Sequence, residues 1–355
     1  MQIPGFSLLL LPQSIEVMKK GLFILLLLIS FTASGQDRDN FLRDLDGFFQ
    51  MRAVKALNKI DTSYVVPYPY RFDARLFGNT SGMHIVTQGL GDIDLSTGMS
   101  NRVGVSFGYR DIALSYSLGL GKTLGFDFGF TSYGKHLCLE YDLKATDNLT
   151  GQVTFPDRKI VVNQGDELTL VESNLNLFYS FNSRFSLGAA MKQSAIQRRS
   201  AGSVLAGFSW TVWDVLAAGR EDIFSRHTSI ASLLAIPTLF YHRFSVGAGY
   251  GYNLVLDQSH WLLHASVVPM WTFYETTAYR IMDSKTRSGH PMGKITFTGT
   301  ARAGVYYRWG DRWSLGLSGV VNQMASRNKI HRSDPEFQRF GAQEWQSRLS
   351  LSYRF

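Results

Sequence analysis

The chain has 355 residues, among them 33 Gly, 25 Phe, 16 Tyr, 7 Trp and one Cys, and a formal net charge of +8. Its mean hydropathy of -0.06 excludes a bundle of membrane helices, because each helix needs roughly 20 consecutive apolar residues. Cys138 alone excludes an intramolecular disulfide framework and a zinc site made of thiolates, and the scattered Lys and Arg argue against nucleic acid and for an anionic lipid surface.

In chain order, Met18, Lys19 and Lys20 form a basic start, Gly21 to Phe31 an apolar core too short to span, and Ala33-Ser34-Gly35 a small-residue cleavage site. This layout predicts a secretory signal peptide over 18–35. Residues 1–17, with a second apolar patch from Leu8 to Leu11, read as an upstream extension. Between Gln36 and Pro67, the residues Phe41, Leu42, Leu45, Phe48, Phe49 and Leu57 recur at helical spacing among acidic residues. That pattern predicts a short amphipathic helix and a linker, lying in the periplasm or plugging the barrel mouth.

From about Tyr68 the period becomes two. Val103, Val105, Phe107 and Tyr109 alternate with Gly and Ser; after the Arg110-Asp111 turn, Ile112, Leu114, Tyr116 and Leu118 continue the pattern. Phe126, Phe128 and Phe130 oppose Asp127 and Gly129, and Leu137, Leu139, Tyr141 and Leu143 oppose Cys138, Glu140, Asp142 and Lys144. Leu175, Leu177 and Tyr179 follow. A turn at Asn182-Ser183 then predicts another strand, with Phe185, Leu187 and Met191 on its apolar face. Phe244 to Leu254, Phe297 to Trp309 and Trp313 to Leu317 alternate in the same way. The last strand sets Leu349, Leu351, Tyr353 and Phe355 against Arg348, Ser350, Ser352 and Arg354.

Successive side chains of a strand point to opposite faces. One face here is Leu, Phe, Tyr and Trp throughout; the other is Gly and Ser interleaved with charges. The pattern predicts an all-β fold, a transmembrane antiparallel up-and-down β-barrel of about 12 strands (about 10 to 14) over 68–355, with a lipid-facing exterior and a polar lumen. Residues 145–167, 276–292 and 324–344 read as long external loops, and the short turns as periplasmic. The terminal strand, with Tyr353 and Phe355 as its aromatic signal, is expected to be read by the barrel-assembly machinery during insertion.

The run Ser63-Tyr64-Val65 through Arg71, then Gly104 to Tyr109, Gly119, Phe126 to Tyr133 and Gly249-Tyr250-Gly251-Tyr252-Asn253, resembles the domain of unknown function 4421 family of predicted outer-membrane proteins of Gram-negative bacteria. The resemblance implies an outer-membrane location and a barrel. It brings no activity and no catalytic residue.

Chemical motifs are sparse. Gly104-Val105-Ser106-Phe107-Gly108 matches G-x-S-x-G, but that elbow needs a strand-to-helix turn, and Ser106 falls inside an alternating strand. Gly119 to Thr123 ends like a phosphate loop, yet Tyr116 stands where the first Gly is required. Gly247, Gly249 and Gly251 share one face of a strand and are no dinucleotide fingerprint. His84, His136, His260 and His264 are candidates for a Ser-His pair at the rim, and no pair is identifiable without strand register. No catalytic, cofactor or metal residue is assigned.

The candidate site is therefore the set of lumen charges: Asp127, Glu140, Asp142 and Lys144 on early strands, Arg302, Arg308, Arg348 and Arg354 on late ones. Closing the barrel is expected to bring them together, either as a buried plug network or as opposed charged walls of a narrow pore for small polar solutes. The expected function is a non-enzymatic outer-membrane barrel with a structural or narrow-pore role; the alternative is a lipid-modifying enzyme. Arg280, Lys285 and Arg287, and Arg327, Lys329, Arg332 and Arg339, point to lipopolysaccharide and outer-membrane lipid as partners.

Overall fold

The computed structural model describes residues 60–88, 92–121, 125–146, 149–154, 159–163, 168–217, 238–281, 284–290, 296–328 and 338–355, all within one compact unit, Asn58–Phe355. The expected extension, signal peptide and amphipathic helix lie outside the described residues. The first elements are β1 (Val65–Pro67), β2 (Phe72–Gln88), β3 (Asp92–Ser96), β4 (Ser100–Tyr109), β5 (Ile112–Gly119), β6 (Gly125–Tyr133) and β7 (Leu137–Thr146). Next come β8 (Thr150–Thr154), β9 (Lys159–Val162), β10 (Leu168–Ser180), helix α1 (Leu187–Met191), β11 (Ala195–Gln197) and β12 (Ala201–Ala217). The chain continues with β13 (Thr238–Leu256), β14 (Trp261–Ile281), β15 (Ser284–His290), β16 (Thr296–Trp309), β17 (Trp313–Asn328) and β18 (Gln338–Arg354).

Twelve of these strands, β2, β4 to β7, β10, β12 to β14 and β16 to β18, pair antiparallel with a neighbour on each side. β18 pairs β2 from Arg354↔Asp73 to Arg339↔Gln88 and so closes the cylinder. Short connections, both ends of the barrel chain and Phe355 share one end, the turn end. At this end Gly310 adopts φ 63°, a left-handed conformation that glycine takes without strain.

The apolar face points outward. Leu76, Val105, Phe107, Tyr252, Val267, Leu317, Leu349 and Leu351 are between 37% and 58% exposed, a contiguous apolar exterior that water would not tolerate. An unbroken row of rings rims the turn end. Trp261 meets Tyr307 at 4.7 Å between centroids, Trp309 stacks on Trp313 at 6.1 Å, Trp313 meets Tyr353 at 4.6 Å, and Phe355 stacks on Phe72 at 5.7 Å. A second cluster, Trp210, His242, Phe244, Trp271 and Tyr274, lies nearer the loop end. Trp261 and Trp271 are ten residues apart on β14; at about 3.3 Å per residue and a tilt of about 40°, that spacing rises roughly 25 Å, the height of an outer-membrane apolar band. The protein is an outer-membrane β-barrel.

Three expectations are corrected. Phe185 to Met191 is not a strand after a short turn: residues 181–200 leave the wall, form α1 and β11, and fold into the lumen. The apolar alternation there is too short to compete with Ser186, whose Oγ accepts from the Ala189 N–H at 3.1 Å and caps a helix. Residues 145–167, 276–292 and 324–344 are not plain loops, because β8, β9 and β15 lie in them and β14, β17 and β18 run into them. In the linker, β1 pairs β11. A bulge at Phe244/Ser245 inserts Phe273 into β14, so inward positions change from even to odd and Glu275 enters the lumen.

Val267 lies outward near the middle of the apolar band. Val267→Arg is expected to destabilise the barrel by about 2–4 kcal/mol in denaturant titrations of protein folded into phospholipid vesicles. A change below about 0.5 kcal/mol, usual for an exposed site in water, would contradict the lipid-facing assignment.

Candidate functional site

The lumen is filled in three layers. At the loop end, Ile93 and Leu95 of β3, Leu149 just before β8, and Val162 of β9 pack with Met83, Ile85, Leu168, Trp213 and Tyr241 of the wall in one buried apolar cluster. The β3–β8–β9 ladder carries these residues inward across the mouth.

A charged belt fills the middle. Arg302 of β16 donates to both carboxylate oxygens of Glu140 of β7, at 2.9 and 2.5 Å. The Tyr133 hydroxyl also donates to Glu140, and the Arg302 guanidinium lies 4.5 Å from the Phe178 ring centroid. Lys144 of β7 donates to Glu344 of β18 and lies 3.7 Å from Glu172 of β10. Asn322 donates to Glu344 at 2.9 Å, and Trp213 Nε1 to Glu172 at 3.2 Å. Strands β7 and β16 are not neighbours, nor are β7 and β18. These bridges cross the lumen.

The turn end is closed by the in-folded segment. Phe185 and Leu187 pack on Tyr133, Cys138, Phe178, Leu205 and Val268, while Ala189, Ala190 and Ala195 pack with Val65 on Leu262 and Tyr306. A Cβ at Gly251 would lie 3.1 Å from Phe185, so glycine there gives the ring its seat. Polar bonds from the wall end on the segment's backbone: Arg75 to Lys192 O at 2.5 Å, Arg354 to Gln193 O at 2.8 Å, and Asn253 to Ser186 O at 2.9 Å. Gln197 ties its two ends, accepting from Ser186 N–H at 3.1 Å and donating to Arg184 O at 2.6 Å and Arg199 O at 2.9 Å. A cavity of about 30 Å³ remains at the seam with the wall, lined by Tyr68, Gln193, His260, Tyr306 and Arg308. That is room for a water or two.

Of the eight charges expected in the lumen, the structure joins Glu140 with Arg302 and sets Asp127 beside Lys144 as its cross-strand partner. Asp142 lies over Gly129 on the same wall. Arg348 instead donates to Asn79 Oδ1 at 2.7 Å and covers the Phe77 ring at 4.4 Å. Arg354 covers Tyr68 at 3.8 Å, and Arg308 bonds Asp311 at 3.0 Å at the turn end. Tyr353 and Phe355 belong to the outer ring row.

Glu172, Glu344, Arg75, Arg102 and Lys192 were missed. Glu172 shares the parity of Asn174, and Glu344 that of Arg348, so alternation alone could have placed them inside; Glu344 was hidden by reading 324–344 as a loop.

Ser106 is buried and inward on β4, and among the described residues its Oγ has no hydrogen-bond partner. His84 bonds Asp94 at 2.8 Å on an exposed face; Ser96 is its cross-strand partner but accepts from the Gly98 N–H at 3.2 Å. His264 is buried between Asn253 and Ser266. The Ser-His pair that the described residues bring together, His264 Nε2 with Ser266 Oγ at 3.0 Å on β14, is buried in the lumen and not at the lipid-facing rim.

Glu140→Gln strands Arg302 in the lumen and is expected to destabilise by about 3–5 kcal/mol, measured by denaturant titration in vesicles. Adding Arg302→Met to it is expected to restore most of that loss. A double variant as unstable as the single one would show that the pair is not coupled.

No curated protein matches the chain. Among solved structures it is similar to the Pseudomonas putida toluene transporter TodX (9% identity, 81% of this chain and 90% of that one, TM-score 0.32). It is similar to the translocator domain of autotransporter NalP from Neisseria meningitidis (11%, 90% and 98%, TM-score 0.36). A third is the COG4313 outer membrane channel from Pseudomonas putida F1 (10%, 84% and 100%, TM-score 0.35). A family model described as Domain of unknown function (DUF4421) matches residues 59–355, and the chain belongs to that family.

Proposed function

We propose that the protein is a sealed outer-membrane barrel, non-enzymatic and non-conducting in the state seen here, with a structural role or a narrow-pore role for small polar solutes. The observation that supports this reading is the pair of bridges, Arg302 to Glu140 and Lys144 to Glu344, that join opposite walls through the lumen. A salt bridge with low exposure on both partners leaves no room for bulk water between them, and breaking one strands a charge in a poorly hydrated interior. A barrel of this size has limited interior once such side chains enter it.

The turn end is assigned to the periplasm and the loop end to the outside, as the short-turn, long-loop asymmetry of outer-membrane barrels requires. On that assignment we take Arg280, Lys285 and Arg287, with Arg327, Lys329, Arg332 and Arg339, as a salt-sensitive binding set for lipopolysaccharide phosphates. The exposed terminal ring of Phe355 is the feature we assign to recognition by the insertion machinery.

Folded full-length protein in planar bilayers at pH 8.5 is expected to give no steady current. A steady ohmic current from protein shown to be folded would overturn the sealed reading in favour of an open pore. Release of fatty acid from phospholipid or lipopolysaccharide by the same preparation would overturn the non-enzymatic one.

A further inference from the structure

Hairpins on the turn end elsewhere need few residues, whereas the β10–β12 connection spends residues 181–200 on a body that sits inside the lumen. That body is attached covalently only at its two ends. Its hold on the wall consists of apolar packing, of side-chain bonds to its carbonyls, and of bonds to its own Gln193, Gln197 and Ser200 side chains, while β11 pairs with β1; none of these is a strand pair of the barrel. It can therefore leave its seat without opening any strand pair of the barrel; only the separate β1–β11 pair must open or move with it.

Lys192 lies at the inner end of this body, just after α1, and is 8% exposed. Its backbone is fully used: the N–H donates to Gly188 O at 3.1 Å and the carbonyl accepts from Arg75. Among the described residues its ammonium group has no hydrogen bond or ion pair. The charged groups that face it are Arg75 and Asp73 from β2, Arg348 from β18, and Asp142 and Glu140 from β7. Arg75 and Arg348 repel a further positive charge, while Asp73 and Asp142 attract one; Asp73 lies 3.9 Å from Arg75, and Glu140 is taken by Arg302. A charged lysine here is thus poorly compensated, and an unpaired buried charge is among the most expensive features a fold can hold.

We propose that residues 181–200 are a retractable gate at the turn end, and that protonation of Lys192 weakens its seating. This rests on the sealed-barrel reading and adds to it the means by which the barrel opens. Burial first, then Arg75 and Arg348, pull the Lys192 ammonium down from its ordinary 10.5 to about 7. The unseated lysine binds more protons than the seated one between these values, so seating strengthens as pH rises from about 7 to 10.5 and is nearly flat below 7. Between pH 8.5 and 5.5 the unseated fraction then rises roughly thirtyfold, most of it above pH 7.

The test uses the full chain with Cys138→Ser and Ala190→Cys, since Ala190 is fully buried in the seated segment. Folded protein in vesicles is reacted with a small thiol reagent at each pH, and the rate is divided by that of the denatured protein at the same pH. The ratio is expected to rise roughly thirtyfold from pH 8.5 to 5.5, to be flat and low with Lys192→Met added, and flat and high with Lys192→Arg. A flat ratio in the Lys192 protein, or an equal rise in the Met variant, overturns the proposal, and the first of these needs no variant at position 192 to fold. Bilayer current is recorded in parallel: steady current at pH 8.5 defeats the sealed reading itself, whereas no current at pH 8.5 with a flat ratio defeats the gate alone.

Discussion

Pairing of β18 with β2 is the constraint on which the molecule depends. Sixteen cross-strand partners, from Arg354↔Asp73 to Arg339↔Gln88, leave no open barrel edge, so every strand can satisfy its backbone groups in a medium that offers none of its own. Closure also divides the two faces of each strand between unlike surroundings. Outward Leu349 and Leu351 meet hydrocarbon, while inward Ser352 bonds Arg75 and inward Arg354 bonds the in-folded segment. Lumen charges lose most of their access to water at that moment, and their pairing follows from the loss.

The three layers of the interior answer this confinement differently. At the loop end the chain supplies apolar side chains from β3 and β9, which pack without needing partners. In the middle, long side chains from opposite walls neutralise each other, and Glu140 keeps Arg302 on one oxygen pair and Tyr133 on another bond. Toward the turn end, the wall is lined by small residues, among them Gly251 and Gly316, and the space they leave is taken by a piece of the same chain. Arg75 and Arg354 then donate to backbone carbonyls, with Asp73 also 3.9 Å from Arg75. These bonds join the wall to a segment that is not itself a barrel strand.

Much of the barrel was legible because its signal is strictly local. A run such as Leu137 to Lys144 announces both its outer face and its inner one, and Phe355 announces the end of the last strand. Glu140 and Arg302 could be placed inside by parity, but their meeting could not, because it depends on which strands stand opposite each other across the lumen. The segment from Phe185 to Met191 misled for a related reason. Over seven residues an apolar alternation and one turn of helix share several positions, and the hydroxyl of Ser186 and the lumen space decided between them. Glu275 was equally out of reach, since the bulge at Phe273 reverses the parity of the rest of its strand.

The amino-acid sequence by itself determined that the chain forms a lipid-facing barrel, since a period of two with a greasy side and a polar side needs only near neighbours to be read. Tertiary structure alone decided which side chains and which piece of chain fill the bore. Whether Lys144 reaches Glu344, and whether residues 181–200 lie outside or within the bore, depends on distances across a closed cylinder between residues as much as 200 positions apart. No local pattern encodes such a distance.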